Sequence, residues 1–159
     1  MNRVVVTGIG MVSSQGVGKD EIWPKIKEGI SGIDFLKRVD NSDLKTKFGG
    51  EIAENFKAED FIDAKEARRS DVFIRYAAAA AVLALKDSGF EISSKNEHLI
   101  GSYIGSGIGG IQTFVDNVIA YREKGPSRVS PFFVPSMVPN MAAGSVSYTH
   151  LTLPTKRIV

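Results

Sequence analysis

Five consecutive alanines, Ala77 to Ala81, lie inside an apolar series with helical spacing. Phe73, Tyr76, Ala77, Ala80, Leu83 and Ala84 recur on one face at the period of an α-helix. Ser70 or Asp71 stands where an N-cap belongs, and Gly89 stands where the helix should stop. Alanine combines the highest helix propensity with the smallest chiral side chain. A helix built this way can lie very close to its neighbours. The pattern therefore predicts a buried helix in a layered α/β protein.

The segments around that helix agree. Arg3 to Thr7 is a β-branched run that leads into Gly8-Ile9-Gly10 and suits a strand covered on both faces. Leu99 to Ile104 reads as a second strand and enters Gly105-Ser106-Gly107-Ile108-Gly109-Gly110. Ile111, Phe114, Val115, Val118 and Ile119 then mark one face of a helix that Gly125-Pro126 ends. Asp20 is placed as the N-cap of a short helix running to Gly29, although Pro24 suits only a first turn and so argues for a later start. Ser31-Gly32 reads as a turn and Phe48 to Ile52 as a short strand. Alternating strands and helices predict an α/β fold with a largely parallel sheet.

Composition excludes more than it identifies. The chain has 159 residues, 43% hydrophobic and 24% charged, with no cysteine. It therefore holds no disulfide, no thiolate metal ligand and no cysteine nucleophile. The N-terminal apolar run is too short for a signal peptide, and no run reaches the length of a membrane span. A cytoplasmic protein is expected, with no membrane and no nucleic-acid partner. The net charge of +2 arises in the last residues, where Lys156 and Arg157 have no acidic counterpart. The rest is balanced, so any basic partner surface must be local.

Gly105 to Gly110 fits the G-x-G-x-x-G pattern between a predicted strand and a predicted helix, as a dinucleotide fingerprint would. That fingerprint needs an acid about 20 residues on to hold the ribose. The corresponding region, Ser127 to Pro135, has none. Thr7-Gly8-Ile9-Gly10 is a weaker half-match. The competing reading is a tight turn where backbone must approach something closely.

Two further features stand out. Phe132-Phe133 sits between Pro131 and Pro135, and the pattern favours core packing over a partner subunit or an apolar ligand. Lys65, Arg68 and Arg69 share one face of a helical turn. That face is either solvated surface or a docking patch for an acidic partner, and the residues alone do not choose.

From Ser145 the sequence changes character. As part of the fold it would be an edge strand rich in Thr and Val. Val146 to Thr155 is also what GTC TCT TAT ACA CAT CTG ACG CTG CCG ACG encodes, which resembles a transposase-type sequencing adapter. Residues 145–159 are therefore expected to be a non-native tail following a partial domain over 1–144.

Taken together, the motifs resemble one family. Arg3 to Ser13, Trp23, Ser31-Gly32-Ile33, Phe61-Ile62 and Lys65-Glu66-Ala67-Arg68-Arg69-Ser70-Asp71 look like the opening of a type II β-ketoacyl-acyl-carrier-protein synthase. Ile104 to Gly110, Ser130 to Met137, Asn140-Met141 and Ala143-Gly144 continue it in order. The resemblance implies a thiolase-like fold, here an incomplete N-terminal half, and a homodimer. It implies decarboxylative condensation of malonyl-acyl carrier protein with an acyl chain in fatty-acid elongation, with no metal or dissociable cofactor. The substrate would arrive on the phosphopantetheine arm of acyl carrier protein.

Site residues follow from the same resemblance. Gly107, Ile108 and Ile111 would line the acyl pocket, with Ile108 near its gate, and Phe133 would reach that pocket from across the dimer. Lys65, Arg68, Arg69 and Arg128 would fall on the carrier-docking face. The family's catalytic cysteine belongs shortly after Ala143-Gly144 and its histidines much further on. His98 and His150 match neither motif, so no catalytic residue is assigned. The fragment as given is expected to be inactive. A non-catalytic chain-length-factor-like subunit of a polyketide synthase is the alternative, and an NAD-binding oxidoreductase a weaker one.

Overall fold

The computed structural model describes residues 3–151. Its centre is helix α3, Val72–Ser88, which carries the alanine run. Asp71 caps its start and Gly89, in the left-handed region at φ 63°, ends it, as the sequence predicts. Ala78 and Ala79 are fully buried. Gly8 and Gly10 run along α3 in backbone contact with its Ala80–Ser88 stretch. Small side chains on one element and none on the other permit that approach.

Before α3 come two antiparallel hairpins and two helices. Strand β1, Val12–Ser13, pairs with β2, Gly16–Val17. Helix α1, Lys19–Lys27, follows and buries Ile22. Strand β3, Asp34–Phe35, pairs with β4, Phe48–Gly49. Helix α2, Ala64–Arg69, is separated from the cap of α3 by Ser70 alone. After α3 come α4, Ile111–Lys124, then α5, Phe133–Met137, and α6, Met141–Val146. Helix α6 packs on α3. The main core joins Ala58, Ile62, Ala67, Ala78, Val146 and Leu151. Phe56 stacks on Phe61 at 6.2 Å and meets Tyr76 edge-on at 5.1 Å along its margin.

Several expectations change. Helix α1 is capped by Gly18, not Asp20, and Pro24 lies inside it. The helix holds there because Ile22 is buried and Glu21 bonds to Val17 and Lys25 on either side. The predicted strand at 48–52 is reduced to two residues of β4.

The larger difference concerns the parallel sheet. Among the described residues the sheets are the two antiparallel hairpins, and neither 3–7 nor 99–104 joins a ladder. Burial still alternates strictly from Leu99 to Gly105, with even positions packed and odd positions open. Ile100 and Ile104 touch the core while Tyr103 is wholly exposed. A strand takes its regular form from a neighbour's hydrogen bonds, and 99–104 has one packed face without a paired edge. Residues 3–7, expected to be covered on both faces, are instead all exposed, Val4 at 93% and Val6 at 82%, because no layer lies over them among the described residues.

The edge strand considered for the tail is also absent. Residues Ser147–Leu151 continue α6 as a wide helical turn. Val146 and Leu151 are buried, and Ser145 Oγ donates to Glu66 Oε1 at 2.6 Å. The remainder of the expected tail, 152–159 with Lys156 and Arg157, lies outside the described residues.

Candidate functional site

Helix α2 is short, so its position depends on its ends. Asp63 caps it by accepting from the backbone N–H of Lys65 at 2.8 Å and of Glu66 at 3.4 Å. Ala67 is buried and pins the inner face. Lys65, Arg68 and Arg69 therefore share the outer face, and all are exposed. Arg68 and Arg69 border a cleft of about 270 Å³ with Arg75, Thr113, Asp116 and Phe132. The sequence reading missed Arg75, whose Nε donates to the Ser70 carbonyl at 2.9 Å. Nothing in the helical pattern of α3 distinguished it from an ordinary surface position. Arg128 is exposed in the turn Pro126–Arg128, and neither it nor Lys65 lines this cleft.

The Phe-Phe segment splits. Phe132 is not in the core: its ring lies under the Arg69 guanidinium, with Arg69 Cζ 4.5 Å from the ring centroid. A cation over an aromatic face reduces the cost of leaving that face outside the core. Phe133 packs on Phe114 of α4 with centroids 6.2 Å apart. Asn117 fixes the intervening loop, accepting from Ser130 N at 2.7 Å and donating to the Thr113 carbonyl at 2.8 Å.

Ile108 is 70% exposed, Gly107 is exposed, and Ile111 opens onto the same surface as Phe114, Val115, Val118 and Ile119. Gly107, Ile108 and Ile111 are thus all exposed, and α4 carries an open apolar face next to the Gln112, Thr113 and Asp116 side that lines the basic cleft. Phe133 reaches this face from α5 of its own chain.

The glycine loop has a packing explanation. A Cβ at Gly109, where φ is +78°, would lie 2.5 Å from the Met137 carbonyl oxygen. A Cβ at Gly110 would overlap the Ser136 carbonyl oxygen. Gly109 and Gly110 are thus required by the 136–137 backbone lying against them, the close approach the sequence allowed as an alternative to nucleotide binding, while Gly105 and Gly107 have open space around them.

No group of three or more His, Cys, Asp or Glu able to hold a metal occurs among the described residues. No helix among them is long and apolar enough to cross a membrane. His150 is half-buried, with Nε2 lacking a hydrogen-bond partner among the described residues. Desolvation pushes its pKa down, and Glu66 opposes this.

Comparison with known proteins decides the family. The family profile described as "Beta-ketoacyl synthase, N-terminal domain" matches residues 1–153. The chain belongs to the β-ketoacyl synthase family. A Staphylococcus aureus (strain COL) protein named 3-oxoacyl-[acyl-carrier-protein] synthase 2 is 46% identical over 145 residues, covering 91% of this chain and 35% of the relative. The chain thus spans about a third of the length of the curated relatives it matches. Among solved structures, a β-ketoacyl synthase from Burkholderia phymatum STM815 superposes with TM-score 0.74 at 28% identity, over 92% of this chain and 36% of that one. A ketosynthase solved with its type II polyketide acyl-carrier protein and a bound hexaketide gives TM-score 0.72 at 26% identity, over 91% and 39%. These neighbours show the thiolase-like fold for this β-ketoacyl synthase domain.

Proposed function

We propose that this domain belongs to a fatty-acid-elongating 3-oxoacyl-acyl-carrier-protein synthase. Its role there would be to supply the carrier-docking face and the mouth of the acyl pocket. The observation that carries the reading is the 46% identity, over 91% of the chain, to a protein of that name. The reaction would join an acyl thioester to malonyl-acyl carrier protein. Loss of carbon dioxide generates the enolate that attacks the thioester carbonyl, and the thiolate leaves. A cysteine nucleophile and two histidines would come from elsewhere in the protein, because this chain has no cysteine. The same reading places the enzyme in the cytoplasm as a homodimer.

Lys65, Arg68, Arg69 and Arg128 would meet the acidic carrier, whose phosphopantetheine arm delivers the acyl chain. Steering by a local basic patch suits a chain otherwise balanced in charge. Exposure of all four residues supports the role. Gly107, Ile108, Ile111 and Phe133 would contact the acyl chain at the open apolar face beside the patch.

The test is Lys65→Glu with Arg68→Glu in a complete synthase carrying this domain. Carrier affinity should fall at least about tenfold, as for loss and reversal of charge at a steered interface. Unchanged affinity rejects the docking role. A cysteine codon in the family motif downstream of the Gly144 codon would decide for enzyme over chain-length factor. The same nucleotide record tests the origin of residues 145–159: codons unrelated to the adapter string would make the tail native.

A further inference from the structure

Asp71 sits where three segments meet. Its Oδ1 accepts from Phe73 N at 3.4 Å, capping its own helix α3. Its Oδ2 accepts from Thr113 N at 2.9 Å and from Thr113 Oγ1 at 2.6 Å. Thr113 lies in the first turn of α4, where backbone N–H groups have no intrahelical partner. The cap position of α4 is Gly110, which offers no side chain. Asp71 therefore caps two helices, the second from 42 residues away in sequence. It is only 5% exposed, so these bonds are not in competition with bulk water.

The third segment closes the junction. Gly110 N donates to the Met137 carbonyl at 2.8 Å, and Ser136 Oγ donates to the Arg69 carbonyl at 2.5 Å. Ser136 is also 5% exposed. A Cβ on Gly110 would come within 3.1 Å of Asp71 Oδ2, so the junction has little slack. Arg68 and Arg69 lie just before Asp71, while Ile108 and Ile111 flank Gly109-Gly110, of which Gly110 lies beside its carboxylate.

We infer that Asp71 is a positioning residue that ties carrier docking on α2 to the setting of the Gly107–Ile111 loop at the pocket mouth. The inference rests on the docking reading above. Ser70, in an extended conformation, is the single residue between α2 and Asp71. A pull on the Arg68 and Arg69 side chains therefore reaches the Asp71 carboxylate through a short path. From there it reaches the start of α4 through the bonds to Thr113. Coupling of this kind is established only by showing that one site responds to the other.

The test is amide hydrogen exchange of a complete synthase carrying this domain, with and without apo acyl carrier protein from Staphylococcus aureus. The apo form lacks the phosphopantetheine arm, so any change in the loop must come through docking. Carrier binding should slow exchange at amides 109–113 by roughly tenfold, the scale of one charge-assisted hydrogen bond. In Asp71→Asn and in Thr113→Val the carrier should bind as before and the slowing should be lost. Thr113→Ser, which keeps the hydroxyl, should restore it. A purely structural role would alter exchange with or without carrier but leave the carrier-dependent change intact. If Asp71→Asn does not fold, Thr113→Val carries the test alone. Binding without slowing in the wild type, or slowing that survives in the variants, overturns the coupling. Absence of carrier binding overturns the docking reading and the coupling with it.

Discussion

Gly10 lies directly on Ala80: a Cβ added to Gly10 would overlap the Ala80 carbonyl oxygen and come within 2.6 Å of Ala84 N. Both obstacles are backbone atoms of α3, so neither can move aside as a side chain would. Gly10→Ala should therefore destabilise the chain by about 2 kcal/mol or more, in the range of core overpacking. Urea denaturation of the two proteins side by side measures this. A Gly10→Ala protein with an unchanged midpoint would show that the 3–10 segment does not sit on α3 in solution.

Asp63 holds the start of the helix that presents the basic face. Asp63→Ala removes the acceptor for Lys65 N and Glu66 N. The expected cost is about 1 kcal/mol, as for loss of an N-cap. Because α2 spans only Ala64–Arg69, that loss should fray most of it. Exchange at the Lys65 and Glu66 amides should speed up clearly while α3 amides change little. Equal effects on both helices would contradict a local cap.

Glu21 ties hairpin β1–β2 to α1. Its carboxylate accepts from Val17 N at 2.9 Å, Lys25 Nζ at 2.9 Å and Asn55 Nδ2 at 3.3 Å. The Val17 amide first, then the Lys25 ammonium, hold its pKa below the ordinary glutamate value. The unfolded chain then binds the proton more readily than the folded one. The stabilisation is present above the unfolded value of about 4.3 and is lost as pH falls through the lower folded value. The side chain is 37% exposed, so solvent screening limits the effect to a few tenths of a kcal/mol. Glu21→Gln should flatten that part of the stability–pH curve, measured by thermal melts between pH 6 and pH 3. An unchanged curve would assign the acid sensitivity to other groups.

Helix α4 presents an open apolar face. Phe114, Val115, Val118 and Ile119 are each 40–47% exposed. Leu99 and Tyr103 add an unpaired strand-like edge. Apolar surface of this extent drives association in water. The chain by itself should self-associate and express poorly. Val118→Lys with Ile119→Lys should reduce the particle size seen by light scattering. A monodisperse, cooperatively melting wild-type monomer would contradict this.

Much of the local structure was legible. The alanine run, the Asp71 cap and the Gly89 stop specify α3 through propensity and short-range hydrogen bonds, and α3 forms with those ends. The apolar face of α4 was equally plain. The start of α1 was not legible, because the burial of Ile22 and the bond of Glu21 to Val17 that hold Pro24 inside the helix are tertiary and inter-element contacts. The family was legible because its motifs occur in order, each too weak to carry it alone.

The candidate site was legible in residue type and only partly in arrangement. Lys65, Arg68 and Arg69 could be placed on one face from their spacing. That Arg75 joins Arg68 and Arg69 at one cleft, or that Arg69 covers Phe132, depends on how α2, α3 and the 126–137 loop pack.

What the sequence determined by itself was α3 and α4 with their ends, the family and the residue types of the basic face. Those depend on backbone propensity and contacts a few residues apart. What only the tertiary structure decided was the reason for the glycines and the second role of Asp71. Gly10 answers to Ala80, Gly110 to Ser136, and Asp71 to Thr113, and each pair is far apart along the chain. Such contacts exist only once the chain has folded, so no periodicity within either partner announces them. Segments 3–7 and 99–104 show the converse: their apolar runs have strand character, but a ladder needs a neighbouring strand, which patterning cannot supply, and 3–7, expected to be covered on both faces, stands exposed.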